Sequence, residues 1–168
     1  MQSLYGTLRR VARRALEGRT KPGTRPSAVR SRINRDGLQP GVPAPPFTAP
    51  DTDGIEHSLE QLRGRNVLLV FTAPDCLPCE ALIPDLLELE SRDDTAILLV
   101  AHGPADEIRA KAAQYDFRLT TVRQPGRRVS KLYGTFATPA AYVVDEEGVI
   151  TARAIGLREI RDLIGAVG

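Results

Sequence analysis

Tryptophan is missing from this chain, methionine occurs once, and 168 residues carry only two cysteines and two histidines. Aromatic residues make up 5% of the sequence. The basic stretches, Arg127-Arg128 among them, therefore have no stacking platform beside them, and no nucleic-acid partner is expected. Two cysteines cannot build the multi-bridge framework of a small secreted domain, and an apolar content of 42% is enough for a core without staples. A tetrahedral zinc site needs four ligands. Beyond Cys76 and Cys79 only His57 and His102 remain, one far upstream and one beyond the next strand, so neither a metal nor another cofactor is expected. No run approaches the roughly 20 apolar residues of a spanning helix. Residues 1–40 hold no stretch like the 7–15 apolar residues, roughly, of a signal peptide. The cytoplasm is the default expectation, and no internal repeat is visible.

The net charge of +2 conceals an uneven distribution. Residues 1–37 carry ten basic side chains against Glu17 and Asp36, a net +8, while the remainder carries thirteen basic and nineteen acidic ones, a net −6. A basic arm thus precedes a mildly acidic globular part. In residues 3–17, Leu4, Leu8, Val11, Ala12, Ala15 and Leu16 recur at helical spacing with Arg9, Arg10, Arg13 and Arg14 between them. Such a helix suits peripheral contact with an anionic membrane or docking on a partner. It is also short enough to be marginal on its own, and its Arg-rich, acid-poor character is shared by mitochondrial targeting segments. Residues 18–46, broken by Gly18, Pro22, Gly23, Pro26, Gly37, Pro40 and Gly41, read as linker. The expected division is a basic arm and linker over 1–40 and a folded domain over 41–168.

Strands and helices alternate from there. Asp51-Thr52-Asp53-Gly54 is a turn between short extended pieces, and Ser58 caps a short helix that Gly64 ends. Residues 66–73 are apolar on both faces, as a buried parallel strand should be. The spacing predicts one helix over 77–91, kinked by Pro84, with Leu82, Ile83, Leu86, Leu87 and Leu89 inward and Glu80, Asp85, Glu88 and Glu90 toward water. A second buried strand (95–101), a helix (105–115), a short strand (119–122) and a brief helix (129–133) follow. Two strands (140–144 and 149–154) joined by Asp145-Glu146-Glu147-Gly148 form an antiparallel hairpin, and a helix over 157–167 closes the chain. The pattern is α/β, a mixed sheet with helices on both faces.

The chemistry sits at Cys76-Leu77-Pro78-Cys79, directly after the apolar run Val67 through Phe71. Strand, short loop with Cys-x-x-Cys, then helix is the setting of redox-active thiols, and the helix N-terminus favours a thiolate. Cys76, in the loop, is expected to be the exposed nucleophile; Cys79, in the first helical turn, the buried resolving thiol. A purely structural bridge is the weaker alternative, because so small a ring restrains little of the unfolded chain. Pro78 stiffens the loop and removes an N–H. Thr138-Pro139 lies between a turn and a strand. A proline there suits a cis peptide bond that brings the Thr138 backbone to the dithiol, where it would pair with substrate as an added strand. An ordinary trans proline opening a strand is the other reading, and the dithiol favours the first. His57 reads as a surface residue and His102 as a loop residue at a sheet end.

Ala44-Pro45-Pro46-Phe47, Asp53-Gly54, Ser58 through Gly64, Val67 through Phe71, Cys76 through Cys79, Pro84, Thr138-Pro139 and Asp145 through Gly148 together resemble the thioredoxin superfamily, and within it the TlpA/ResA/MauD-type redoxins. The resemblance spans residues 41–168. It implies a thioredoxin-like three-layer sandwich, a cis Pro139, and a thiol–disulfide oxidoreductase that reduces or exchanges protein disulfides, with a disulfide-containing protein as substrate and a thiol as electron donor. Cys76 and Cys79 are then catalytic, and Pro78, Thr138 and Pro139 face substrate. Three positions depart from the family. Asp75 stands where thioredoxins carry tryptophan, and a carboxylate there would oppose thiolate formation at Cys76. Val70 replaces the buried aspartate of thioredoxins, and Leu82 the glutamate of ResA-like proteins. No buried base is evident, since Glu80 is expected to point to solvent. A redox-regulated binding or maturation module, tethered by the basic arm, is the alternative. Thiol peroxidase chemistry is disfavoured: the peroxidatic Pro-x-x-x-Thr/Ser-x-x-Cys frame is occupied by Leu69 and Ala73.

Overall fold

A computed structural model describes residues 33–34, 37–92 and 94–167. Two short hairpins come first: β1 (Ile33–Asn34) with β2 (Gly37–Leu38), and β3 (Thr48–Pro50) with β4 (Glu56–Ser58). The expected turn at Asp51 joins the second. Asp51 Oδ1 accepts the N–H groups of Asp53 and Ile55, a side-chain mimic of a backbone turn. Ser58 then caps a 3-10 helix over Leu59–Leu62. Its hydroxyl accepts from Gln61 N, and the Gln61 side chain accepts from Ser58 N, a complete capping box.

The main sheet contains β5 (Asn66–Thr72), β6 (Thr95–Ala101), β7 (Thr120–Arg123), β8 (Ala140–Val144) and β9 (Ile150–Ile155), in the order β7-β6-β5-β8-β9. The first three run parallel, while β8 and β9 pair antiparallel to their neighbours. Strand β5 lies at the centre, and its alternating side chains feed two cores. Val67, Leu69 and Phe71 pack on one face with Phe47, Val129, Tyr133 and Tyr142. Leu68 and Val70 pack on the other with Leu82, Leu86, Leu89, Ile160 and Ile164. The second core is covered by α2 (Ile83–Glu90) and α5 (Leu157–Val167), and the first by α4 (Arg128–Tyr133). The expected three-layer sandwich, mixed sheet with helices on both faces, is the observed fold. Among the described residues no helix is long and apolar enough to cross a membrane.

Packing reaches upstream of Gly41, into sequence expected to be linker. Leu38 is buried in the first core. Gly37, at φ +97°, lies so close to the Tyr142 hydroxyl that a Cβ would stand 2.0 Å from it. Residues 3–17 lie outside the described residues.

The helix expected over 77–91 is two helices, α1 (Leu77–Glu80) and α2, broken at Ala81-Leu82. Pro84 cannot donate to the Glu80 carbonyl, and the turn does not survive the loss. Arg161 on α5 braces the break: its Nη2 donates to the Ala81 carbonyl at 2.9 Å and its Nε to Asp85 at 3.0 Å. The remaining helix is α3 (Ala105–Tyr115), at the expected bounds.

Candidate active site

Strand β5 delivers the chain to the carboxyl end of the sheet, and Ala73-Pro74-Asp75 carries it to Cys76, the N-cap of α1. Cys76 and Cys79 are joined, with sulfurs 2.10 Å apart. The Cys79 N–H donates to Cys76 Sγ at 3.2 Å, so the first turn of α1 already aims a backbone donor at the sulfur expected to act first. Both cysteines are buried in this oxidised form, at 8% and 7% exposure. The expected contrast of an exposed Cys76 and a buried Cys79 is therefore absent in the bonded pair. The exposed part of the motif is Leu77, at 75%, together with Pro78.

Gly103, in the loop after β6, explains how Pro74 is seated. Its φ is +146°, and a Cβ there would stand 2.8 Å from Pro74 Cδ. His102 beside it donates its backbone N–H to the Thr72 carbonyl, which ties the two loops together. Its role is that of a loop residue, as expected.

The Thr138–Pro139 peptide is cis. Ala140, the next residue, is in register with Phe71 on β5, so the Thr138–Pro139 segment and the Ala73–Cys76 loop emerge side by side from the same end of the sheet. The Pro139 carbonyl accepts from Gly156 N at 2.9 Å. Phe136, two residues before Thr138, is exposed, and its carbonyl is held by Arg127 Nη1.

Glu80 is the largest departure from expectation. It is only partly open to water. Its carboxylate is gripped by Lys111 Nζ and by the Tyr115 hydroxyl, the latter at 2.6 Å. Only about a fifth of either charged side chain is exposed, 19% for Glu80 and 24% for Lys111. The hydrogen bond from Lys111, then that from Tyr115, holds the Glu80 carboxyl below its ordinary value, while the same contact with Glu80 pushes the Tyr115 phenol up. The sequence signal for this cluster is the i,i+4 spacing of Lys111 and Tyr115 on α3, one face of a helix aimed at α1. Glu80 and Lys111 share a small apolar-walled cavity of about 40 Å³ with Cys79, beside Val70, Leu99, Ile108 and Phe117. The positions of the two missing family carboxylates, Val70 and Leu82, are buried apolar core.

His57 is hydrogen-bonded to Asp51, Nε2 to Oδ2 at 3.0 Å, and that contact lowers the Asp51 carboxyl. Among the described residues no group of His, Cys, Asp or Glu could hold a metal ion.

The chain is similar to known proteins. The model of the AhpC/TSA family matches residues 40–153. The thioredoxin-like protein YneN of Bacillus subtilis is 31% identical over 126 residues, covering 71% of this chain and 74% of YneN. The thiol-disulfide oxidoreductase ResA of Bacillus cereus is 26% identical, covering 79% of each chain. A solution structure of a thiol:disulfide interchange protein from Bacteroides sp. superposes with a TM-score of 0.68 at 26% identity, over 77% of this chain and 88% of that one. This chain sets a Cys-x-x-Cys pair at bonding distance between its central strand and a helix end, which fits a thiol–disulfide oxidoreductase. It belongs to the AhpC/TSA family, as a thioredoxin-like thiol–disulfide oxidoreductase.

Proposed function

We propose that this protein reduces or exchanges disulfides in protein substrates, with Cys76 as the capturing thiol and Cys79 as the resolving one. The observation that carries the assignment is the Cys76–Cys79 bond at the N-terminus of α1. The reduced Cys76 thiolate attacks one sulfur of a substrate disulfide, and the other sulfur leaves. Cys79 then attacks Cys76 Sγ, the mixed disulfide breaks, and the substrate departs as a dithiol. Two thiols of a separate donor then act in turn: the first opens the Cys76–Cys79 bond to a mixed disulfide, and the second resolves it, so that the donor leaves as a disulfide and the reduced pair is restored. The Cys79 N–H, already directed at Cys76 Sγ, favours the thiolate. Pro78 and the Thr138–Pro139 backbone form the surface on which an extended substrate segment would lie as an added strand.

The test is a pair of variants. Cys76→Ser should abolish disulfide reductase turnover, and Cys79→Ser should trap a mixed disulfide visible by mass spectrometry. Retained turnover in Cys76→Ser would refute the assignment. A peroxidase reading has less support, since Leu69 and Ala73 occupy its frame. The compartment in this proposal is the cytoplasm, with residues 3–17 in peripheral contact with anionic membrane. Fractionation of the full chain against a chain lacking residues 1–37 tests both, and identical partitioning would remove the membrane contact. It would equally remove support for a tethered binding module.

A further inference from the structure

The resolving step needs a proton acceptor. Cys79 attacks only as a thiolate, and the residue is buried beside a mostly apolar cavity. Among the described residues lining the cavity beside Cys79, Glu80 and Lys111 carry the only charges. The cavity, at about 40 Å³, has room for a bridging water, which needs roughly 10–15 Å³. The elements around Glu80 offer few other titratable groups: α3 gives Lys111 and Tyr115, the loop before α1 gives exposed Asp75, and β5 and β7 give only the hydroxyls of Thr72 and Thr121.

We propose that Glu80 accepts the proton of the Cys79 thiol, directly or through one water, and that Lys111 serves as the counter-charge for the thiolate so formed. This rests on the dithiol reading above and adds a residue to it. The Cys79 S–H bond breaks and its proton passes to a Glu80 oxygen. The freed electron pair forms the bond to Cys76 Sγ. The bond from Cys76 to the substrate sulfur breaks, its electrons leave with that sulfur, and the substrate thiolate takes up a proton from Glu80 or water. The net charge of the cavity stays constant, because the negative charge moves from carboxylate to sulfur while the proton moves the other way. That constancy matters where isolated charge is costly. In the oxidised form Lys111 and Tyr115 hold Glu80 ionised, ready to receive the proton; the hold relaxes when Lys111 turns to the thiolate. Tyr115 is a positioning residue, and Glu80 and Lys111 are the groups that meet the reacting sulfur.

The experiment uses the reduced full chain and oxidised glutathione. Acid quenching and mass spectrometry separate capture, which forms the mixed disulfide at Cys76, from resolution, which closes Cys76–Cys79. In Glu80→Gln capture should keep its rate, while resolution near pH 7 should slow by about 100-fold, the scale of general-base catalysis, so that the mixed disulfide accumulates. The deficit should shrink as pH rises past about 8.5, the value of an unperturbed thiol, and a buried one begins to ionise unaided. Glu80→Asp should recover most of the rate. For the wild type, resolution should slow in D2O and capture should not. Resolution of Glu80→Gln at the wild-type rate overturns the proposal. So does a deficit that is the same at every pH, which marks a packing defect, or a wild-type resolution rate indifferent to D2O. If neither wild type nor Cys79→Ser forms a mixed disulfide, the oxidoreductase reading fails and takes this proposal with it. If Cys79→Ser forms one and Glu80→Gln resolves normally, only the role of Glu80 is lost.

Discussion

Two leucines five positions apart provide a sharp test of how this site is built. Leu82, at the break between α1 and α2, is fully buried, whereas Leu77, inside the dithiol motif, is 75% exposed. Leu82→Ala removes a side chain from the second core, under the helix turn that carries Cys79. Buried Leu→Ala changes cost about 2–5 kcal/mol, and the expected loss at Leu82 is about 3 kcal/mol. An unfolding entropy of about 2.1 cal/mol/K per residue over residues 37–167 amounts to roughly 0.28 kcal/mol/K. The melting temperature should therefore fall by about 11 °C. Leu77→Ala exposes nothing new, so its cost should stay within about 0.5 kcal/mol, or roughly 2 °C. Its effect belongs to turnover instead. If Leu77 is covered by substrate, truncation loses about 1.5–2 kcal/mol of apolar burial, on the order of 10- to 30-fold in kcat/KM. Thermal unfolding of both variants in the disulfide form, followed by circular dichroism, gives the first readout, and reduction of a protein disulfide gives the second. A Leu82→Ala protein that melts within about 3 °C of wild type, or below which Leu77→Ala melts, would refute the reasoning.

Gly37→Ala should destabilise by about 1–3 kcal/mol, since its Cβ would meet the Tyr142 hydroxyl at 2.0 Å and the Tyr133 carbonyl at 3.0 Å; an unchanged urea midpoint would detach residues 37–38 from the fold. Ser58→Ala, which removes one half of the capping box, should cost about 1 kcal/mol in the same measurement. Acid should also weaken the fold. Asp51 and Glu80 both have folded-state carboxyls held below their ordinary values of 3.8 and 4.5. Their stabilisation is thus fully present above those values and is lost as pH falls through the lower folded ones. Unfolding midpoints measured from pH 6 to pH 2, on the scale of ordinary carboxylate titration, should drop most steeply at the acid end, less so in Glu80→Gln. Superimposable profiles for that variant and wild type would contradict the assignment of the Glu80 contacts.

Much of this was legible in the residues because local and global signals agree. Alternation in Val67 through Phe71 supplies both cores from one strand, the Ser58/Gln61 pair caps its helix, and Gly134, at φ +65°, ends α4 where expected. The dithiol could be read from its spacing and from its place after the central strand. What escaped reading were long-range contacts. Glu80 looks like a solvent-facing helix residue until α3, some thirty positions later, brings Lys111 and Tyr115 across to it. Nothing local announces that Leu38 would pack in a core beside Phe47, because Gly37 and Pro40 around it read as linker. Pro84 signals a kink. Whether the helix bends or breaks depends on a partner for the freed carbonyl region, and Arg161 from the last helix supplies one. The burial of Cys76, found here in the bonded pair, is not something that spacing alone specifies.

The central claim is that Cys76 and Cys79 cycle. The most direct measurement is their equilibrium with glutathione redox buffers, followed by thiol alkylation and mass. An active dithiol should titrate as one two-electron couple between about −120 and −270 mV, the range of known disulfide oxidoreductases, and a Cys76 pKa below about 7.5 would place it among the reactive thiols. A pair that stays oxidised to below about −300 mV, as structural disulfides do, would contradict the account.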